Sequence, residues 1–320
     1  MKVVDNSQFI WSEKYRPSCI EDTIIPEDIR TKFKEFIQKE RFPHLLLTST
    51  NPGLGKTSIT NAIIKDLDAD VLWINGSQDR GIDVFRTRIR DFATSVSIDD
   101  SPKIIVIDEA DGLSPDAQKG ARGVLEEFSK HTTFIMTANY KEKIIEPLRN
   151  RFTHFDFDSI YAQNKKEMAI QIMDRLQFIL NNEHIEYDRG SLGPVITNLY
   201  PSVRKMVLTL QQSISGNKLV LDSNMINLNT RFGEIMTLIR DKKFPEVKKN
   251  ISILDDPSSI YTYVFKNIDL IFDIKSQPGI ILLCARYQDM SENARDKMIT
   301  ATAFAIEIMG NASVGYINNK

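Results

Sequence analysis

The sequence predicts an α/β protein whose N-terminal half is a doubly wound parallel sheet and whose remainder is helical. Two observations predict this. Four short and almost continuously apolar runs recur in the first half, at Leu45-Leu46-Leu47, Val71-Leu72-Trp73-Ile74, Ile104-Ile105-Val106-Ile107 and Phe134-Ile135-Met136, with helical stretches between them. After about residue 158 no strand signal of that strength follows. Runs of this kind suit strands buried on both faces of a parallel sheet.

The elements follow in order. Phe152 to Phe157 alternates and is read as a fifth, edge strand. The helix near Pro115 has a legible start, because Ser114 can cap it and Pro115 suits the first helical position. Asn164 to Leu180 is a helix with Met168, Ile172 and Leu176 at a four-residue spacing. Arg189-Gly190, Ser215-Gly216-Asn217 and Asp255-Asp256-Pro257 are expected breaks. The expected domains are 1–158 (sheet), 159–227 (small helical) and 228–320 (all-helical). The last helix, Met298 to Met309, is apolar nearly all round, which fits core or a subunit contact, with core the default.

At 320 residues, two or three domains are expected. Apolar residues make up 42% and charged residues 26%, with a net charge of -2, so a nucleic-acid surface must be local rather than global. Cys19 and Cys284 lie far apart, in no metal-ligand spacing, which suits a reducing compartment. No signal-peptide core is read at the N-terminus, and the longest apolar run, Gly279 to Ala285, is too short for a membrane span. A cytoplasmic protein without membrane contact is expected.

Asn51-Pro52-Gly53-Leu54-Gly55-Lys56-Thr57 follows an apolar strand and precedes a helix that continues through Ser58. Glycines let backbone N–H groups face phosphate oxygens, and the helix N-terminus adds its positive dipole end. Lys56 is expected at the β- and γ-phosphates and Thr57 at Mg²⁺. The usual pattern opens with Gly where this chain has Thr50. Ile104 to Glu109 supplies a buried strand ending in carboxylates, with Asp108 expected near the metal and Glu109 as general base toward water. An ordinary Gly-rich turn and a solvated acidic strand end are the alternatives. Both motifs in this order on two predicted parallel strands argue against them. Asn139, at the end of the next strand, could orient water or contact the γ-phosphate.

Further residues carry a resemblance. Trp11-Ser12-Glu13-Lys14-Tyr15-Arg16-Pro17, Asn75-Gly76-Ser77-Gln78-Asp79-Arg80-Gly81-Ile82-Asp83, Asp108-Glu109-Ala110-Asp111 and Glu142-Lys143-Ile144-Ile145-Glu146-Pro147-Leu148 resemble the signatures of AAA+ ATPase subunits of sliding-clamp loaders. The resemblance runs from about residue 11 to 155 and more weakly through Pro201-Ser202-Val203-Arg204-Lys205. It implies a P-loop AAA+ domain, a helical lid and a helical collar for oligomerisation, with ATP and Mg²⁺ as ligands. It implies that Tyr15, Arg16 and Pro17, with Ile24 and Ile25, line the adenine pocket. Asn139 becomes a sensor and Arg204 a second sensor reaching from the lid. Arg151 matches the arginine finger that acts on a neighbouring subunit's ATP. Arg149 is its rival, and Arg122 an assistant in trans. The chain departs from the family at Thr50-Asn51-Pro52 and at Asn150-Arg151-Phe152. That divergence and the compact length point to the phage branch.

Arg80, Arg86, Arg88 and Arg90 fall at the start of a predicted helix, and Arg86 and Arg90 share a face. Arg80 and the amides near Gly81 and Ile82 are expected at DNA phosphates, contacts that position without reading sequence. A solvated basic helix face is the ordinary meaning of such a cluster, and the resemblance reverses that preference. The far end of this helix, through Phe92 and Val96 towards Ile98, could touch the clamp, although core is the default for Phe92 and Val96.

The implied function is ATP-driven clamp opening and loading onto primer-template DNA, in a spiral of copies of this chain with a distinct fifth subunit. Another AAA+ DNA-remodelling ATPase, such as a helicase loader or branch-migration motor, is the alternative. A nucleotide-binding scaffold without turnover is a third reading, opposed by the presence of Lys56, Asp108 and Glu109.

Overall fold

In the computed structural model, residues 9–39, 42–78, 82–96, 101–221, 228–254, 256–311 and 314–317 are described, with only the backbone of 82–85 and 228–230. The apolar runs form five parallel strands: β1 (Leu45–Thr48), β2 (Asp70–Asn75), β3 (Lys103–Asp108), β4 (Thr132–Ala138) and β5 (Thr153–Asp156). Their spatial order is β2-β3-β4-β1-β5. Side chains alternate between the faces, so each run feeds two cores. Leu45, Leu47, Ile104, Val106 and Ile135 enter one core, and Leu46, Ile105, Ile107, Phe134 and Met136 the other.

Register brings the strand ends together. Thr48 lies opposite Ala138, and Asn75 opposite Asp108. The residues that follow these ends, Ser49, Glu109 and Asn139, therefore gather at one edge of the sheet, where open α/β sheets bind ligands. β5 is an edge strand, as its alternation predicts. β2 corrects the expectation of strands buried on both faces. It is the other edge, and Val71 is 41% exposed. An apolar run reports an attractive strand sequence, but position in the sheet is set by connections elsewhere.

The helices of this part are α1 (Trp11–Lys14), α2 (Glu27–Gln38), α3 (Lys56–Asp66), α4 (Ile82–Thr94), α5 (Pro115–Phe128), α6 (Glu146–Arg149), α7 (Phe157–Gln163), α8 (Lys165–Asn182), α9 (Arg189–Leu199) and α10 (Val203–Gln212). α5 begins as its sequence predicts: Ser114 Oγ accepts from Ala117 N at 3.2 Å, with Pro115 in the first turn. Met168, Ile172 and Leu176 of α8 are fully buried. They join the same core as Ile25 and Phe33 of the N-terminal segment and Ile59 and Ile63 of α3. The stretch after residue 158 is not purely helical. β6 (Ile214–Ser215) and β7 (Lys218–Leu219) form a short antiparallel hairpin. Gly216, expected only as a break, supplies its turn at φ 62°.

α4 ends two residues before Val96, which is 90% exposed, so its expected place in the core is wrong. The helical periodicity that would bury it no longer applies there. Phe92 does pack against the α5-side core. Ile98 lies outside the described residues.

By its contacts the chain divides into two compact units, Met1–Leu221 and Asp222–Lys320. The second contains α11 (Leu228–Arg240), α12 (Phe244–Ser252), α13 (Ser259–Lys266), α14 (Ile268–Ile271), α15 (Gln277–Glu292) and α16 (Lys297–Gly310). Its own core includes Ile235, Ile239, Val247, Ile260, Phe272 and Phe304. The last helix buries Ala301, Phe304, Ala305 and Ile308 but leaves Ile299 65% exposed, so it is core on one face only. No helix among the described residues is long and apolar enough to cross a membrane.

Candidate active site

The loop from Ser49 to Gly55 joins β1 to α3. Gly53 (φ 86°) and Gly55 (φ 93°) take left-handed backbone, which explains the residue type at both. Lys56 then opens α3 and turns its Nζ back over the loop. It donates to Ser49 O and to Asn139 Oδ1, both at 3.0 Å. Burial pushes the Lys56 ammonium below the ordinary lysine value, and the carboxylates of Asp158, Asp111 and Asp108 act in the opposite direction.

Asp108, at the end of β3, receives two hydroxyls on one oxygen. Thr57 Oγ1 lies 3.4 Å from Oδ1, and Thr137 Oγ1 donates to the same atom. Glu109 N donates to Thr137 Oγ1 at 3.1 Å. Glu109 itself sits at φ 54°, and its Oε2 accepts from Ser77 Oγ at 2.7 Å.

Lys56, Thr57, Asp108, Glu109, Thr137 and Asn139 line one cleft of about 610 Å³. Tyr15, Arg16, Pro17 and Ile24 form part of its wall, together with Pro52 to Ser58, Asp108, Glu109 and Asn139, and with Arg204 of α10. Two expected residues are not in the lining. Ile25 is wholly buried in the core, where the alternation of the chain sends it after Ile24 faces the cleft. Asn51 turns its amide away and donates to Asp158 Oδ1 at 2.8 Å.

The sequence reading missed several lining residues, among them Trp11, Tyr161, Arg175, Ile179 and Val207. Arg175 Nη2 donates to Tyr15 O at 2.7 Å, and Tyr15 Oη donates to Glu183 Oε1 at 2.5 Å. Lys14 Nζ pairs with the same carboxylate at 2.6 Å. Arg175 of α8 and Glu183, the residue that ends it, thus fasten the N-terminal segment over the cleft. α10 approaches the loop directly, because Ser202 Oγ donates to Pro52 O at 3.0 Å. A Cβ on Gly53 would lie 2.8 Å from Arg204 Cβ.

The residues fit a nucleoside triphosphate with Mg²⁺. The loop is a glycine-shaped cradle ending at a helix N-terminus, with a half-buried ammonium beside it. Thr57 and Asp108 offer a hydroxyl and a carboxylate, the hard oxygen donors that Mg²⁺ takes together with phosphates. Among the described residues, no group of three or more His, Cys, Asp or Glu side chains could hold a metal without such help.

None of the three candidate trans arginines lines the cleft. Arg151 pairs with Glu126, and Arg122 Nε lies 3.4 Å from the same carboxylate. Arg149 Nη1 donates to Lys141 O at 3.2 Å. Behind them stands Gln118, a buried side chain on α5 that sequence reasoning did not single out. Its Nε2 donates to Leu113 O (3.2 Å) and Lys143 O (2.9 Å), and its Oε1 accepts from Ile145 N (2.7 Å). It joins the segment after the acidic box to the segment leading into α6.

Of the expected DNA contacts, Arg80 and Gly81 lie outside the described residues, and Ile82 opens α4 with only its backbone described. Arg86 and Arg90 are exposed on α4. Arg90 pairs with Glu127 at 3.2 Å, a solvent-exposed contact that holds the guanidinium weakly.

A parallel sheet with this loop, this acidic strand end and this covering helix defines a P-loop ATPase of the AAA class. Residues 46–160 match the family described as ATPases associated with various cellular activities. The chain is 35% identical over 253 residues to the sliding-clamp-loader large subunit of Escherichia phage RB69, covering 78% of each. It is 32% identical to that of Enterobacteria phage T4, covering 92% of this chain and 91% of the relative. It is 31% identical to the replication factor C small subunit of Saccharolobus solfataricus, covering 83% and 80%. The chain belongs to the sliding-clamp-loader family of AAA ATPases. A mutant of Thermotoga maritima RuvB shares the fold, with a TM-score of 0.54, 14% identity, and coverage of 81% of this chain and 92% of that one.

Proposed function

We propose that this chain is the ATP-hydrolysing subunit of a clamp loader that opens a sliding clamp and places it on primer-template DNA. The observation that carries the reading is the meeting of Lys56, Asp108, Glu109, Asn139 and Arg204 in one cleft of a chain from this family. The loop amides and Lys56 bind and orient the phosphates, and the side chains around Tyr15 and Ile24 receive adenine. Mg²⁺, when bound at Thr57 and Asp108, neutralises phosphate charge. Glu109 accepts the proton of the attacking water, once freed from Ser77. Asn139 fixes Lys56 in the resting site, and Arg204 reports lid position to the nucleotide.

Residues 1–158 serve as the AAA+ domain, 159–227 as the lid and 228–320 as the collar. The collars join copies of the chain and a distinct fifth subunit into a spiral in the cytoplasm, that of the host for a phage protein. Arg151 reaches the neighbouring subunit's ATP, with Arg149 as the rival and Arg122 assisting. Arg80, Gly81, Ile82, Arg86 and Arg90 meet DNA phosphates. ATP binding completes the subunit interfaces, and hydrolysis breaks them.

The test is steady-state ATP turnover by the chain with its partner subunit, alone, with clamp, with primer-template DNA and with both. Synergy between clamp and DNA is expected. Arg151→Ala should abolish it, by about 10³-fold for a lost arginine finger, while ATP still binds. Turnover indifferent to the clamp removes the loader function and leaves an ATPase.

A further inference from the structure

The phosphate loop departs from its pattern at the front, where Thr50 replaces the opening Gly and Asn51 follows. Both find a partner far along the chain. Asp158, the second residue of α7, accepts on Oδ2 from Thr50 N (2.6 Å) and Thr50 Oγ1 (2.8 Å). On Oδ1 it accepts from Asn51 Nδ2 (2.8 Å) and Ser49 Oγ (3.1 Å). Four donors from three consecutive residues thus converge on one carboxylate.

α7 does not need this carboxylate for its own start. Asp156 caps the helix, accepting from Asp158 N at 3.1 Å. Asp158 does not line the cleft, so beyond the field it puts on Lys56 its effect on a nucleotide passes through the loop. The segment it holds carries the Ser49 carbonyl that receives Lys56 Nζ at 3.0 Å. Ser49 Oγ also lies 2.8 Å from Asn51 O, so its one proton is shared between that carbonyl, which closes the turn, and Asp158. Burial pushes Asp158 upward, but the bonds from Asn51, Thr50 and Ser49 prevail and hold its carboxyl below the ordinary value. It is ionised at neutral pH, and charge-assisted bonds of this kind are the strong ones.

We propose that Asp158 is a positioning residue for the phosphate loop, fixing Ser49 to Asn51 so that the loop amides and Lys56 meet a nucleoside triphosphate. The proposal rests on the nucleotide-site reading above. It also accounts for the departure at Thr50 and Asn51. A loop opening on Thr and Asn offers side-chain donors that glycine lacks, and Asp158 accepts from both residues.

The experiment uses the full chain with its partner subunits and compares Asp158→Asn, Thr50→Val and the double variant. Fluorescent ADP and ATP analogues report affinity, thermal melting without nucleotide reports stability, and steady-state turnover gives kcat and KM. Asp158→Asn is isosteric and leaves the Asp156 cap intact. It should weaken ADP and ATP alike, on the order of tenfold for the loss of charge-assisted bonds. Thr50→Val should weaken them about threefold, from one lost hydroxyl bond. The double variant should be no worse than Asp158→Asn, because both act through one network. Melting should fall by no more than about 5 °C, because the same bonds hold the loop in the nucleotide-free chain, and the variants stay folded at the assay temperature. Unchanged affinity in Asp158→Asn, effects that multiply in the double variant, or affinity loss that only follows a fall in melting temperature overturns the proposal. A wild-type chain that binds neither nucleotide overturns the nucleotide-site reading and this proposal together.

Discussion

Ser77 Oγ donates to Glu109 Oε2 at 2.7 Å, so the carboxylate that faces the cleft is already engaged. The backbone reinforces the pairing. Gly76 N donates to Asp108 O at 2.7 Å, and a Cβ on Gly76 would lie 2.5 Å from Glu109 O. Glu109 is held in left-handed backbone, an uncommon state for a residue with a side chain. A carboxylate spending one lone pair on a hydroxyl is a poorer base toward water. Ser77→Ala is therefore expected to raise turnover in the absence of DNA several-fold, with ATP affinity unchanged. Glu109→Gln should lower turnover by about 10²-fold or more, the scale of a lost general base. A Ser77→Ala chain whose DNA-free rate equals wild type would show that the hydroxyl does not restrain Glu109.

Gly53 and Gly55 both have positive φ, but only Gly53 meets a neighbour. A Cβ there falls 2.8 Å from Arg204 Cβ and 2.9 Å from Ser202 Oγ, whereas one on Gly55 meets nothing within 4 Å. The pair separates backbone strain from collision with α10. Gly55→Ala should cost about 1–3 kcal/mol, the strain of a non-glycine residue in that conformation. Gly53→Ala should cost more and should also push α10 off the loop. Denaturant unfolding and nucleotide titration of the two variants check this. Equal losses would mean that α10 moves without penalty.

Gln118 makes three hydrogen bonds from a side chain that is 2% exposed. Gln118→Leu keeps the volume but leaves Ile145 N and two carbonyls unpaired. Each buried unpaired group costs about 1–3 kcal/mol. The bonds tie Leu113, just after the acidic box, to the approach to α6. ATP binding by the isolated chain should hold, because Gln118 does not line the cleft. Turnover of the assembled loader should fall, through misplacement of Arg149 at the end of α6 and of Arg151 just beyond it. Full turnover in the Gln118→Leu assembly would remove this positioning role.

What the sequence disclosed follows from how local each signal is. The sheet was legible because strands covered on both faces need continuous apolar runs, as β1, β3 and β4 show. The phosphate loop was legible because glycine spacing and the following Lys-Thr pair are adjacent in the chain. Arg175, Gln118 and Asp158 were not legible. Their partners Tyr15, Ile145 and Thr50 lie 160, 27 and 108 positions away, and no local pattern marks such a bond. Val96 was misplaced because the helix stops at Thr94, so the expected face no longer exists two residues on. Ile25 was misplaced because two adjacent isoleucines cannot both face one cleft from an extended segment.

His44 sets a pH dependence of stability. Its Nδ1 accepts from Phe134 N at 3.1 Å, which requires a ring unprotonated at that atom. The ring packs edge-on against Phe134. Burial pushes its pKa below the ordinary 6.5, and burial also lowers that of His154. Well above pH 6.5 both rings are neutral in the folded and unfolded chains, and neither contributes a pH dependence. Below it the unfolded chain takes up protons that the folded chain refuses. Stability therefore falls as pH falls from about 6.5 towards the lower folded values, then levels once the folded rings titrate. His44→Asn removes one of these protonation sites. Its melting temperature at pH 8 should be lower than wild type, through lost packing, yet its decline between pH 7 and 5 should be shallower. Melting curves of both proteins at half-unit pH steps decide this. Parallel declines would mean that His44 titrates no differently in the folded chain than in the unfolded one.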